Sequence, residues 1–555
     1  MLKHIVLLAF FCAQSPAFYA QSDNSLDKEA ITTFLHAYIN DDAPGMAVGI
    51  VKDGEIIYEH YLGYANLNHD VKVDQNTRFN IASNAKQFTA LGILKLIEEG
   101  KIDIDDDFRK YLPGLYENIQ DEITISNLLT HTSGVRDYCD LMALQGKTWW
   151  KQFIDNDDVM ELMEEQRDLN FQAGSAYLYS NTNYILLTEV IKKVTGQDFD
   201  EYAMAMFEEM GMDNTHFLSN YMTVLPNKAR PYGNWNGWRE IPVITDVHGD
   251  GALFTTLRDQ LLWESEIQRN DGSDQSQQFI YESQSPLSSS IDMAYGYGLE
   301  FDTYGGLNRT FHNGATGGYR ATFWRFPSEK VSVTIMTNNR EVPIDYMTSQ
   351  IVNAVLKLEA EKEDVVYLDH PDKIEKLQDI NDVLGVYKGV DGTVIRITEK
   401  DNSIYREMYR RDPIKLIHEN EGLFSYDTNQ DLKINFENIG LDNQQFTLYK
   451  STQKPSSSIK VSDLDIAEFD KNLLNGRFYN EETDTEIVIK YKEGNNYSLT
   501  KNGRERNAEL ILFDYLRMLD VYKIKFIRDE QNTITGLNID RDRIKNVIFL
   551  SLIHI

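Results

Sequence analysis

Two hydrophobic patterns with different periods open the chain. Residues 25–40 repeat apolar side chains at the spacing of one helix face and predict a helix. Two apolar runs follow at 46–51 and 56–64, separated by a turn that contains Asp53 and Gly54. Because Asp-Gly supplies the positive backbone angles of a tight turn, these runs predict a β-hairpin.

The middle of the chain, residues 82–211, repeats apolar side chains mainly at helical spacing. Strand patterns return at 310–314, 319–326 and 331–337, and residues 344–355 predict a closing helix. Strands and helices from both ends therefore enclose a helical insertion. The predicted fold class is α+β, an antiparallel sheet with flanking helices and a mainly helical lobe beside it.

After residue 363 the pattern changes to short strand-like runs, and two halves resemble each other. Two pairs of segments match at an offset of roughly ninety residues: Leu384 to Tyr387 with Leu474 to Phe478, and Lys433 to Phe436 with Lys523 to Phe526. This length suits one small antiparallel barrel per repeat. The serine-rich stretch 451–458 is interpreted as the link between the two barrels.

The first residues have the organisation of a secretory signal peptide. Lys3 and His4 precede an apolar run, residues 5–12, which is too short to span a bilayer and is followed by small residues such as Ala17. We therefore expect a secreted or periplasmic protein. The predicted division is a signal peptide at 1–20, an α+β domain at 21–362, and β-barrel-like domains at 363–460 and 461–555.

Composition narrows the range of partners. The formal net charge is -32, and the acidic excess runs through the whole length. The electrostatic field of so negative a protein repels nucleic acid and anionic membranes, so neither is expected as a partner. No later apolar run has the length of a transmembrane segment. Cys139 alone remains after removal of the signal peptide, so no internal disulfide is expected, and the oligomeric state has no signal in the sequence.

Candidate chemistry begins at Ser83-Asn-Ala-Lys86, where a hydroxyl and an amine are one helical turn apart. A neutral lysine at this distance can accept the serine proton. The spacing alone is unspecific, because four other serines precede a lysine by three positions: Ser25, Ser451, Ser457 and Ser498. Ser83 differs in standing between strand signals and a long apolar helix, which would place it between the sheet and the helical lobe.

Two further motifs follow in order along the chain. Tyr179-Ser-Asn181 places a phenol and an amide two positions apart, before a predicted helix. His312-Asn-Gly314 lies on a predicted strand, where the glycine would let a substrate backbone lie close against the strand. Each motif is weak by itself, and their order and context carry the signal.

Together these motifs resemble those of the serine β-lactamase and penicillin-binding-protein superfamily, in the branch of class C β-lactamases, D-Ala-D-Ala carboxypeptidases and D-aminopeptidases. The resemblance covers residues 25–360 and includes the phrase Leu128-Leu-Thr-His-Thr-Ser-Gly134. Within that phrase, His131 is interpreted as holding a loop by local hydrogen bonds. The resemblance implies the β-lactamase/transpeptidase-like fold, and the two C-terminal β domains are loosely similar to the barrels of D-aminopeptidases.

The resemblance implies a role for each matching residue. Ser83 would be the nucleophile, while Lys86 and Tyr179 would share the work of a general base. Asn181 would hold a substrate amide. The oxyanion would lie between the backbone N–H groups of Ser83 and Ala315. No metal or cofactor is required.

One departure from the family pattern concerns the substrate. Many relatives, including most β-lactamases, carry lysine where this chain has His312. Because an imidazole titrates near about pH 6.5, His312 would give a weaker and pH-dependent grip on a substrate carboxylate. Efficient β-lactam hydrolysis is therefore not expected. The alternative interpretation is that His312 only packs or caps its strand.

The sequence thus predicts an exported serine hydrolase that forms an acyl-enzyme on Ser83 and acts on peptides containing D-amino acids, as a D-Ala-D-Ala carboxypeptidase or D-aminopeptidase. A carboxylesterase or weak β-lactamase of the same fold is the alternative. A protein of another class, which binds penicillin or peptidoglycan without turnover, is also compatible with the motifs. The expected partner is a small peptide or ester substrate.

Overall fold

The structure is a computed structural model. It describes residues 26–40, 42–274, 277–287, 294–358, 375–389, 393–408, 411–428, 432–450, 453–461, 470–518 and 522–552. The predicted signal peptide at 1–20 lies outside these residues. No helix among them is both long and apolar enough to cross a bilayer.

The α-helices of the described residues all lie in the first part of the chain. They are α1 Lys28–His36, α2 Lys86–Glu98, α3 Ile125–Leu129, α4 Tyr138–Gln145, α5 Asn156–Glu164, α6 Asn181–Thr195, α7 Phe199–Glu209, α8 Leu257–Arg269, α9 Gln278–Glu282 and α10 Ile344–Leu356. The predicted opening and closing helices correspond to α1 and α10. Both helices pack on the same face of the main sheet, where their apolar side chains belong to one core.

Fourteen strands accompany these helices in the described residues. They are β1 Met46–Lys52, β2 Glu55–Leu62, β3 Tyr64–Asn66, β4 Val71–Lys72, β5 Phe79–Asn80, β6 His216–Phe217, β7 Tyr232–Asn234, β8 Trp238–Glu240, β9 Leu253–Thr255, β10 Ala294–Gly296, β11 Leu299–Tyr304, β12 Leu307–Thr316, β13 Tyr319–Phe326 and β14 Val331–Thr337. The main sheet has the order β10-β11-β12-β13-β14-β1-β2, and all its neighbours are antiparallel. The predicted α+β fold class is confirmed.

The β1–β2 hairpin and the two faces of β1 show how local sequence builds this sheet. Asp53 and Gly54 have φ of +53° and +76°, the backbone that the Asp-Gly turn requires. Along β1, Val48 packs on the face that carries α1 and α10, whereas Ala47 and Val51 face the core that contains α2 and α6. Helices therefore cover both faces of the sheet.

A buried ion pair fixes the start of α2, the helix that follows Ser83. Arg325 of β13 donates to both carboxylate oxygens of Glu264, with Nη2–Oε1 at 2.7 Å, and the same nitrogen donates to Gln87 Oε1 at 2.7 Å. Trp263 Nε1 also donates to Gln87 Oε1, at 2.9 Å. This network ties the sheet, α8 and α2 together beside Ser83.

Glu264→Gln is expected to lower the free energy of unfolding by about 3 kcal/mol, because Arg325 would keep its charge in the core without a carboxylate. Urea unfolding followed by circular dichroism measures the change. Glu486→Gln is the matched control, since the pair between Arg477 and Glu486 is exposed and is expected to contribute little to stability. Equal effects of the two substitutions would contradict the prediction.

Two closed antiparallel barrels of eight strands each follow in the described residues. The first contains β15 Gly385–Gly389, β16 Val394–Lys400, β17 Ser403–Met408, β18 Ile414–Asn420, β19 Leu423–Tyr426, β20 Lys433–Glu437, β21 Gln445–Lys450 and β22 Gln453–Val461. The second contains β23 Gly476–Asn480, β24 Thr485–Glu493, β25 Asn496–Lys501, β26 Arg504–Leu512, β27 Tyr515–Met518, β28 Tyr522–Arg528, β29 Ile534–Arg541 and β30 Ile544–Ser551. The predicted pair of small β-barrels is confirmed.

The interpretation of residues 451–458 as a linker is wrong. Residues 453–461 form β22, which pairs with β21 on one side and with β15 on the other and so closes the first barrel. Serine-rich composition suggested a linker, but Ser456, Ser457 and Ser458 occupy regular ladder positions opposite β21. The register is irregular between Leu448 and Lys450.

The second barrel packs directly against the α+β domain. Arg136, which is 1% exposed, donates to Glu482 Oε2 at 2.6 Å and to the carbonyls of Lys545 at 3.3 Å and Asn546 at 3.0 Å. Asn170 Nδ2 donates to the carbonyl of Arg543 at 3.2 Å. These contacts place the β29–β30 turn, Asp542 and Arg543, next to the region of Ser83.

Candidate active site

Ser83 lies in a short 3₁₀ turn, Ala82–Ala85, between β5 and α2. The residue before it, Ala82, has φ of +49°, a left-handed conformation that costs energy for a residue with a Cβ. The Asn80 side chain holds this strained residue by accepting from the Ala82 N–H at 2.8 Å. The turn leaves Ser83 partly exposed while Lys86, one turn later, is completely buried.

The structure distinguishes the Ser83–Lys86 pair from the other serine–lysine pairs of the same spacing. Ser457 and Ser498 lie in strands β22 and β25, where side chains three positions apart point to opposite faces. Their lysines, Lys460 and Lys501, are therefore turned away from them. The remaining two serines of this spacing, Ser25 and Ser451, lie outside the described residues.

Lys86 Nζ is surrounded by three acceptors. It donates to Ser83 Oγ at 3.3 Å, to Asn181 Oδ1 at 2.9 Å and to the carbonyl of Asp250 at 2.6 Å. Burial lowers the pKa of Lys86 to about 8, opposed by the Asp250 carboxylate and assisted by the charge of Arg543. Lys86 thus loses its proton far more easily than a solvated lysine and is within reach of the serine hydroxyl.

Asn181 is the first residue of α6, and hydrogen bonds to Asp137 fix its orientation. Asp137 Oδ2 accepts from the Asn181 backbone N–H at 2.8 Å and from its Nδ2 at 3.0 Å, while Oδ1 caps α4 through the N–H of Cys139. The amide oxygen of Asn181 therefore faces Lys86 in a fixed orientation. Asn181 lines the active-site cavity, where its second Nδ2 proton remains available to a ligand.

The Tyr179 ring lies between Lys86 and the second barrel. Its centroid is 5.0 Å from Lys86 Nζ and 4.8 Å from the Arg543 guanidinium carbon. Its buried hydroxyl makes no hydrogen bond of good geometry with the described residues. Burial raises the pKa of this phenol, and Ser83 and Arg543 oppose the rise. Tyr179 is thus a phenol rather than a phenolate, poised to donate a proton.

His131 holds the segment that carries Tyr179. Its Nδ1 accepts from the Ser180 N–H at 3.2 Å and from Asn183 Nδ2 at 3.1 Å, and its ring lies 4.2 Å from the Tyr179 ring. The proton must therefore be on Nε2. Burial keeps the pKa of His131 well below its usual value, so the ring is neutral. The hydrogen-bonding role predicted for His131 is realised on the Tyr179 segment.

His312 is a buried, neutral residue in this structure. Its Nδ1 lies 2.8 Å from the Asn313 carbonyl, which can only accept, so Nε2 accepts from the Tyr295 hydroxyl at 3.2 Å. Burial, with the charge of Lys86, lowers the pKa of His312 to about 3. The expectation of an imidazole that titrates near neutral pH is therefore wrong, because that expectation assumed a solvated ring.

Gly314 and Ala315 lie on the part of β12 nearest to Ser83. A Cβ on Gly314 would lie 2.2 Å from the Ile81 carbonyl oxygen and 2.8 Å from Asn84 Nδ2. Ile81 and Asn84 thus occupy the space beside Gly314 in which we expected a substrate backbone. Beyond Phe311, β12 has no pairing with β11 in the described sheet, and Ala315, on this open edge, lines the cavity.

Some of these residues line a cavity of about 990 Å³, to which both the α+β domain and the second barrel contribute lining residues. Ser83, Asn181 and Ala315 line one side, and Arg541 and Arg543 line the other. The structure thus brings together Ser83, Lys86, Tyr179 and Asn181. The ring of His312 lies beside this group, with its centroid 6.1 Å from that of Tyr179, and it is hydrogen-bonded to Tyr295.

Three residues around this site were missed at the sequence level: Asp137, Asp250 and Arg543. A signal existed for Asp137, which stands at the start of a helical pattern where an N-cap is expected. None existed for Asp250 or Arg543, which reach the site through long-range contacts. Arg543 acts from a barrel turn more than 450 positions after Ser83 in the sequence.

The fold and this site define a protein of the β-lactamase and penicillin-binding type. The sequence model described as Beta-lactamase matches residues 29–354, and the chain belongs to this family. A D-aminopeptidase of Brucella ovis is 29% identical over 318 residues, which are 57% of this chain and 60% of that protein. The chain thus matches about three fifths of the length of this curated relative.

Solved structures show the same fold. An octameric penicillin-binding protein homologue from Pyrococcus abyssi superposes with a TM-score of 0.56 at 21% identity, over 78% of this chain and 100% of that one. A D-amino acid amidase from Ochrobactrum anthropi SV3 superposes with a TM-score of 0.50 at 19% identity, over 59% of this chain and 98% of that one.

Proposed function

We propose that this protein is an exported serine hydrolase that forms an acyl-enzyme on Ser83 and cleaves amide bonds next to D-amino acids. The observation that carries the proposal is the contact between Ser83 Oγ and the buried Lys86 amine at the wall of a large cavity. A serine beside a lysine of lowered pKa is an activated nucleophile. Export rests on the sequence pattern of residues 1–20.

The residues support a two-step reaction. Neutral Lys86 accepts the Ser83 proton while Oγ attacks the substrate carbonyl, and the oxyanion binds the backbone N–H groups of Ser83 and Ala315. Tyr179 donates its proton to the leaving amine as the C–N bond breaks, and the Lys86 ammonium returns a proton to Tyr179. Water then hydrolyses the ester by the reverse sequence of proton transfers, which restores Ser83.

The choice of D-amino-acid amides rests on two arguments. The relatives of this chain include a D-aminopeptidase that is 29% identical over 318 residues. The neutral, buried His312 offers no positive charge to a β-lactam carboxylate at the place where most β-lactamases have lysine. Both arguments favour D-amino-acid amides over β-lactams as substrates.

Rapid acid quench with mass spectrometry tests the acyl-enzyme. D-alanine amide, a D-Ala-D-Ala peptide, a short 4-nitrophenyl ester and nitrocefin are each mixed with the protein, quenched at successive times and digested. We expect a transient acyl mass on the peptide that contains Ser83, together with steady product from D-alanine amide. A permanent adduct without product would favour the penicillin-binding alternative, and turnover of the ester alone would favour the esterase.

A further inference from the structure

The wall that the second barrel contributes to the cavity is unusually cationic for this chain. Acidic residues outnumber lysine and arginine by 87 to 55 in the whole sequence. In the cavity lining the balance is reversed, with nine lysines and arginines against three carboxylates, Asp140, Glu240 and Asp250. The positive charge is therefore concentrated at the site and is not a general property of the surface.

Strands β25 and β26 present part of this charge on one face. Lys501 and Arg504 are directly opposite each other in the ladder, and Leu499 is opposite Arg506. Cross-strand partners lie on the same face of a sheet, and so do residues two positions apart in one strand. These four side chains therefore point to the same face, and all four line the cavity. Like charges directly opposite each other destabilise a β-ladder. The fold thus tolerates a repulsive arrangement where it faces the active site.

The protein itself neutralises only part of this charge. Arg230 pairs with Glu240 at 2.8 Å, Arg541 with Asp140 at 3.3 Å and Arg543 with Asp137 at 3.6 Å. The other six cations of the lining have no carboxylate within 4 Å in the part of the chain that the structure describes, and Arg504 and Arg506 are among them.

Lys501 shows that the charges repel each other. Its Nζ donates to the Ala143 carbonyl at 2.5 Å, a neutral acceptor. Burial and the nearby charge of Arg541 lower its pKa to about 8. A carboxylate bound beside it would counter the charge of Arg541 and stabilise the protonated amine.

We infer that the substrate of this protein is acidic: a small peptide whose carboxylate groups bind Arg504, Arg506 and Lys501 on the second barrel while its scissile bond lies at Ser83. The inference rests on the proposed function for the position of the scissile bond. Arginine guanidinium groups suit this task because they form paired, charge-assisted hydrogen bonds with carboxylates. The same wall repels substrates with cationic side chains, which gives selectivity as well as affinity.

The test compares the dipeptide amides D-Glu-D-Glu-NH₂ and D-Gln-D-Gln-NH₂. They differ only in two side-chain carboxylates, one on each side of the scissile bond, so either orientation directs one toward the barrel. The wild type is compared with Arg504→Gln/Arg506→Gln. The control is Lys490→Gln/Lys525→Gln, which removes the same charge from exposed barrel positions outside the cavity lining.

We expect the wild type to hydrolyse the glutamate peptide with a kcat/KM at least about tenfold above that for the glutamine peptide. The double arginine variant is expected to lose this preference, the control variant to keep it, and added salt to weaken it. An Arg504→Lys/Arg506→Lys variant retains the charge and is expected to retain most of the preference, which separates loss of charge from misfolding.

Binding of both peptides to Ser83→Ala protein, measured by calorimetry, separates the two proposals. Equal turnover and equal binding of the two peptides would overturn the acidic-substrate inference and leave the hydrolase standing. Absence of turnover would overturn the proposed function. In that case, preferential binding of the glutamate peptide that depends on Arg504 and Arg506 would still support the inference, and equal or absent binding would overturn it.

Discussion

Replacing Ser83 by alanine is expected to lower kcat/KM for a D-aminoacyl amide by about 10⁵-fold. The substitution removes the atom that forms the acyl-enzyme and leaves the rest of the site in place. The remaining rate would come from substrate binding and the oxyanion site. Stability should change little, because Ser83 is partly exposed and Lys86 keeps its bonds to Asn181 and the Asp250 carbonyl. Steady-state kinetics, with thermal unfolding as the check on folding, measure both expectations.

Ser457→Ala is the matched control for Ser83→Ala. Ser457 has the same spacing to a lysine, Lys460, but it lies in β22 of the first barrel and its hydroxyl contacts Thr447 at 3.0 Å. We expect its kcat/KM to remain within about twofold of the wild type, as for other surface changes away from a site. Retained turnover in Ser83→Ala would refute the assignment of the nucleophile.

The parts of the fold that were predicted correctly depend on local sequence. The apolar spacing of residues 344–355 specifies a helix wherever it packs, and Asp53-Gly54 specifies a tight turn through its own backbone angles. The order of the three motifs indicated the candidate site. The contact between Ser83 and Lys86 needs no tertiary information, because the two residues are one helical turn apart. The stretch 451–458 shows the converse, since composition cannot tell a serine-rich linker from a barrel strand that small residues fill.

The electrostatics of the site depend on tertiary structure and could not be predicted from the sequence. His312 was expected to titrate near neutral pH, yet burial beside Tyr295 and Lys86 makes it neutral. Arg543 reaches Tyr179 because Arg136 and Asn170 anchor a barrel turn to the α+β domain. No periodicity or motif encodes which barrel turn docks at the cavity. Between β21 and β22 of the first repeat the sequence has Ser451 and Thr452, where the second repeat has Asp542 and Arg543, so repeat similarity gives no guidance.

The pH dependence of the reaction follows from the buried amine of Lys86. A lysine acts as a general base only in its neutral form, and the pKa of Lys86 is lowered to about 8. The neutral fraction therefore increases as pH rises, so kcat/KM should rise about tenfold per pH unit below this value and level off above it. The charged groups that act on Lys86 are Asp250 and Asp137, which raise its pKa, and Arg543, which lowers it.

Lys86→Arg is expected to lower kcat/KM by about 10³-fold and to remove the rise with pH, because a guanidinium stays protonated throughout the range. Arg543→Gln tests whether the second barrel changes the pKa of Lys86. Since the charge of Arg543 lowers the pKa of Lys86, its removal should shift the ascending limb of the wild-type profile to higher pH. The measurement is kcat/KM for D-alanine amide from pH 6 to 10 in all three proteins. A wild-type profile that is flat or falls with pH would show that Lys86 is not the base, and an unchanged midpoint in Arg543→Gln would show that the second barrel does not tune it.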